Sequence, residues 1–204
     1  MSATRLLRRE QPPADVLIRD VRVFDPRERI DTRLDVRLAD GEIAQLAEPG
    51  TLDGAAAGVE VIEGGKATLL PGFFDPHVHL RTPGQEHKED LETGTRAAAA
   101  GGFCGVIAMP NTDPVIDSVP LLRSLRDAAA REARVPVGFM AAITRDLAGH
   151  ELSEMAGLAQ EGAIGFTDDG RPVASAGMLR KALQYQRLCG GVLALHEEDP
   201  TLSG

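Results

Sequence analysis

Tryptophan is absent from this 204-residue chain, tyrosine occurs once and cysteine twice. The two cysteines, Cys104 and Cys189, lie far apart and form no Cys-x-x-Cys pair, which excludes a disulfide-stapled framework. Both read as small core hydrophobes in a reducing compartment, the cytoplasm. No apolar run approaches the ~20 residues that a membrane span requires. Arg5, Arg8 and Arg9 are not followed by an apolar stretch, so no secretory signal is read. A net charge of −9 argues against a nucleic-acid-binding surface. What remains is ordinary for a soluble globular protein: 43% hydrophobic and 26% charged residues, at a length that suits one large domain or one and a half small ones.

Two patterns divide the chain. Residues 1–14 are charged, run into Pro12-Pro13 and read as a flexible arm. Residues 15–69 read as a small antiparallel β-domain. Val16, Ile18, Val21 and Val23 alternate with polar residues apart from one irregularity, and Leu34–Leu38 alternates cleanly. Asp40-Gly41 signals a hairpin turn, and Val59–Ile62 is a further short strand.

From residue 70 to 204 apolar strands alternate with helical segments. Strands are read at Phe73–His79, Phe103–Met109, Val135–Ile143, Gly162–Thr167 and Val192–Leu195. Helices are read at about 91–100, 119–133, 152–160 and 175–188. Repeated strand–helix units imply a parallel sheet. The fold class is therefore α/β: a partial (β/α)8 barrel of five strand–helix units behind a small β-domain.

Chemically capable residues fall after the strands. His77 and His79 are two apart on a strand read as buried through Phe73 and Phe74, so both imidazoles project from one face. Asn111 follows the second strand, Asp168 and Asp169 the fourth, and His196 the fifth. In a barrel such ends share one rim. Imidazoles with a carboxylate suit zinc, and a two-metal site acidifies water enough to attack a carbonyl near neutral pH. Singly, each feature has a plain structural reading. Asp168-Asp169-Gly170 reads as a turn, Asn111 as a loop shaper, Arg81 as a surface ion pair, His196 as a buried histidine, and His87 and His150 as surface residues. Alternation puts Asp168 and Asp169 on opposite faces and does not choose between them.

Five runs, in order, carry a resemblance. They are His77-Val78-His79-Leu80-Arg81, Pro83–Glu89, Met109-Pro110-Asn111-Thr112, Phe166–Gly170 and His196-Glu197-Glu198-Asp199. Together they resemble the bacterial type I dihydroorotases of the amidohydrolase superfamily, from about residue 15 to the last. The resemblance implies one or two Zn2+ ions, held by His77, His79, Asp169 and His196. It implies a substrate carboxylate held by His79, Arg81 and Asn111. The strand-four lysine of much of the superfamily has no counterpart in Ala163–Gly170, which fits the type I pattern with aspartate in its place.

The implied reaction is reversible cyclisation of N-carbamoyl-L-aspartate to L-dihydroorotate in pyrimidine biosynthesis. A homo-oligomer and aspartate carbamoyltransferase are the implied partners. Hydantoinase or allantoinase activity, or a non-catalytic scaffold for the transferase, are the competing readings. Five strands fall short of eight, so the expectation is an N-terminal portion, marginally folded and inactive alone. The proton-transferring aspartate is expected beyond residue 204.

Overall fold

The computed structural model describes residues 6–53, 58–173, 175–199 and 202. Residues 1–5 of the expected arm lie outside them. The chain forms two compact units, Gln11–Gly72 and Met1–Glu10 with Phe73–Gly204.

The first unit is a five-stranded sheet built on β1 (Val16–Asp25), with β2 (Ile30–Ala39), β3 (Glu42–Ala47), β4 (Glu60–Glu63) and β5 (Thr68–Leu69). The β1–β2 and β2–β3 pairs are antiparallel, as the Asp40-Gly41 turn requires. The expectation of a wholly antiparallel domain fails for β4 and β5, which both pair with β1 in parallel. The chain reaches β4 through a long connection rather than a hairpin, so strand direction was not set by a local turn. Val21, Val23 and Val36 form its small buried core.

The irregularity in the alternation of β1 is a bulge between Ile18 and Val21, with Asp20 at φ 45°. Asp35 sits fully buried and serves it. Its carboxylate accepts the Asp20 N–H at 2.9 Å, Gly50 N–H at 2.8 Å and Leu52 N–H at 3.4 Å. Burial pushes this carboxyl up, but the three backbone donors outweigh burial and hold it below the usual range. A depressed folded-state value stabilises the fold above the unfolded-state value and loses that contribution as pH falls through the folded one. Urea midpoints should therefore drop as pH is lowered below about 4. Asp35→Asn should be weaker at pH 7, and its midpoint should change less over the same range.

The second unit is a parallel sheet in the order β10-β9-β8-β7-β6. The strands are β6 (Phe73–Val78), β7 (Phe103–Ala108), β8 (Val137–Ala141), β9 (Gly165–Phe166) and β10 (Val192–Leu193). Between them run α1 (Leu91–Ala100), α2 (Val119–Glu132), α3 (Met155–Glu161) and α4 (Ala176–Cys189). This is the expected partial barrel. Helix α1 starts at a capping box: Asp90 Oδ1 accepts Thr93 N–H at 2.7 Å and Asp90 N–H donates to Thr93 Oγ1 at 3.1 Å. Central β8 is buried along its whole length, as its apolar run implies. Its Phe139 belongs to a core that also includes Phe166, Leu122, Ile143 and Leu158.

Two burial expectations fail. Phe73 and Phe74 are 56% and 46% exposed, because β6 is an edge strand with only β7 beside it among the described residues. Cys104 is exposed and so is not a core residue, whereas Cys189 is half-buried and packs against the core's edge. Of the segment read as a flexible arm, Leu7 exchanges backbone hydrogen bonds with Val137 at 2.8 and 2.9 Å, and Arg9 N–H donates to the Ala133 carbonyl at 3.0 Å. No helix among the described residues is long and apolar enough to cross a membrane.

Candidate metal centre

His77 and His79 stand at the C-terminal end of β6. Their rings are 5.3 Å apart, centroid to centroid, and project to one side as the two-residue spacing requires. Pro76 interrupts the β6–β7 pairing, which an edge strand tolerates. Asp75, passed over in the sequence, accepts the His77 backbone N–H at 3.0 Å. An Asx-type turn two residues ahead of the first histidine was its only signal.

The fourth strand supplies the carboxylate. Asp169 Oδ1 lies 3.2 Å from His77 Nε2, and Asp169 Oδ2 lies 3.7 Å from His79 Nε2. One donor atom from each of His77, His79 and Asp169 falls within 4.8 Å of the other two. Two imidazole nitrogens and a carboxylate oxygen at such spacing could hold a metal ion.

Asp168 takes the other face. It is buried, and its Oδ1 accepts Ile143 N–H at 2.8 Å and Thr144 N–H at 3.0 Å. The Thr144 hydroxyl donates to its Oδ2 and in turn accepts Gly149 N–H at 2.9 Å. Burial pushes the Asp168 carboxyl above its usual range, and these hydrogen bonds oppose the shift. Asp168 thus clamps the loop after β8, whereas Asp169 faces the histidines.

Asn111, on the loop after β7, touches both sides of the centre. Its Oδ1 is 3.0 Å from His79 Nδ1 and its Nδ2 donates to Asp169 Oδ2 at 2.9 Å. Arg81 lies on the loop beyond β6 at φ 59°, partly buried, with no ion-pair partner among the described residues. That loop meets the loop after β7 closely. Asp113 N–H donates to the Pro83 carbonyl at 3.1 Å, and a Cβ on Gly84 would lie 1.9 Å from the Asp113 carbonyl oxygen. His196 does not join the three-residue group; its Nε2 is 2.7 Å from Glu198 Oε2. His87 and His150 are exposed, as expected.

A solved L-hydantoinase (dihydropyrimidinase) from Arthrobacter aurescens matches with a TM-score of 0.76 at 24% identity, over 93% of this chain and 42% of its own. That likeness shows the fold alone. Sequence goes further. The chain is 43% identical over 192 residues to a dihydroorotase from Geobacter sp. (strain M21), and 41% identical over 189 residues to one from Streptococcus pneumoniae serotype 4. Each match covers 93% of this chain and 44% of the relative. Residues 65–204 match the family described as dihydro-orotase-like, and the chain belongs to that family.

Proposed function

We propose that the chain carries the metal-binding half of a zinc-dependent cyclic amide hydrolase that interconverts L-dihydroorotate and N-carbamoyl-L-aspartate in pyrimidine biosynthesis. The observation that carries this is the convergence of His77, His79 and Asp169 from two non-adjacent strands. Zinc held there would supply Lewis acidity and an acidified water for attack on the ring amide. The chain's own part is to hold the ion from one face and to orient the substrate. Arg81 offers its guanidinium fork to a substrate carboxylate, and no carboxylate of the described residues competes for it. The second N–H of the Asn111 amide can donate beside it. In this reading His196 is a further zinc ligand, and its imidazole would exchange Glu198 for the ion.

A hydantoinase reading has the structural neighbours in its favour. At 24% identity those neighbours speak for the fold alone, and no lysine lies in the Ala163–Gly170 stretch. The test is to assay the product of the full reading frame, loaded with zinc, on dihydroorotate, hydantoin and allantoin. Hydrolysis of dihydroorotate well above the other two supports the reading. Preference for hydantoin or allantoin, or no turnover of any of them, overturns it.

A further inference from the structure

We infer that Asn111 is a positioning residue for the metal centre, one that locks His79 in its Nδ1–H tautomer and ties it to Asp169. The inference rests on the proposed metal role of His77, His79 and Asp169.

The hydrogen-bond directions follow from what each group can do. An ionised carboxylate only accepts, so the amide NH2 of Asn111 must be the group facing Asp169, at 2.9 Å. The amide oxygen is then the atom 3.0 Å from His79 Nδ1, and an amide oxygen only accepts. His79 Nδ1 must therefore carry the proton. A neutral imidazole protonated at Nδ1 keeps its lone pair on Nε2. That is the nitrogen directed at Asp169, 3.7 Å from its carboxylate, where a shared ion would sit. The partner of one ring nitrogen thus decides which nitrogen can bind metal.

Topology explains why a third residue is needed. Strands β7 and β8 lie between β6 and β9, so the backbones that carry the histidines and Asp169 are three strand spacings apart, roughly 14 Å. The side chains must reach across that gap, and Asn111, on the loop after intervening β7, bridges them. Its own backbone is held by the loop. Thr112 N–H and Ile116 N–H both donate to the Pro110 carbonyl, at 2.8 and 3.1 Å, and Met109 N–H donates to the Val78 carbonyl at 2.9 Å. The carboxamide is thus presented on an ordered scaffold.

Long-range 15N–1H NMR of the metal-free protein reads the tautomer directly, with His79 assigned by the signal lost in His79→Gln. Wild type should show His79 as Nδ1–H. Asn111→Ala should shift it toward Nε2–H and weaken zinc binding, measured against a chromophoric chelator, by about tenfold or more. Asn111→Asp keeps an acceptor for Nδ1–H and should restore the tautomer, which a merely structural role would not produce. Circular dichroism of each variant separates these effects from unfolding. The inference is overturned by an Nε2–H His79 in wild type, or by Asn111→Ala that keeps both the Nδ1–H tautomer and wild-type zinc affinity. Wild type that binds no zinc would refute the metal reading instead, and the tautomer measurement still decides the brace.

Discussion

Asp169→Ala is expected to leave the chain folded and to weaken its zinc affinity by more than about 100-fold, beyond the ~10–100-fold cost of losing an outer-shell partner. The loss is large because, among the described residues, this carboxylate is the metal-ligating group that reaches both imidazoles, with one oxygen toward each. Without it the imidazoles of His77 and His79 have no carboxylate between them to complete the set. Stability should change little. Asp169 gives up one hydrogen bond, to Asn111, and the relief of a crowded polar site offsets part of that. Chelator competition and a urea melt on the same preparation check both halves. Zinc affinity within tenfold of wild type would place the ion elsewhere and remove the basis for the centre.

The neighbouring substitution should do the reverse. Asp168→Ala deletes the acceptor of two buried backbone N–H groups and of the Thr144 hydroxyl. Leaving a buried donor unpaired costs ~1–3 kcal/mol, so a loss of roughly 3 kcal/mol or more is expected. Thr144 also accepts from Gly149, so the loop after β8 should loosen with it. Urea denaturation gives the stability loss, and hydrogen exchange at Ile143, Thr144 and Gly149 shows whether it is local. Unchanged protection at those three amides would mean that the carboxylate is not the clamp. The two variants together form a double dissociation. One residue governs metal and its neighbour governs stability, a choice that alternation alone could not make.

Much of the barrel unit was legible because its causes are local. Five apolar runs and four helical segments fell where strands and helices stand. The histidine pair was legible for the same reason, since a spacing of two on a strand fixes the face. What was not legible depends on long-range arrangement. Phe73 and Phe74 look like core residues until the strand order makes β6 an edge. Cys104 shares a face with buried Val106 and Ala108 yet is exposed near the start of its strand, which alternation does not announce. Asp35 lies in a cleanly alternating strand yet is buried, because a bulge in the next strand and a loop at residues 50–52 need its oxygens. The Asn111 contact to Asp169 joins residues 58 apart, and no periodicity announces it.

The reach of the centre from β6 to β9 has a kinetic consequence. An opening that parts β6 from β7 leaves the rest of the unit standing, and local opening of that kind is cheaper than global unfolding. Peeling β6 would carry both imidazoles away from Asp169 in one motion. An ion that binds only the closed arrangement must therefore oppose the opening, by the logarithm of its concentration over its dissociation constant. Amides of β6 whose exchange is limited by this peeling should slow progressively as zinc is added. Those of central β8 should not respond unless they exchange by the same opening. On this view the ion acts as a latch between β6 and the loop that carries Asp169.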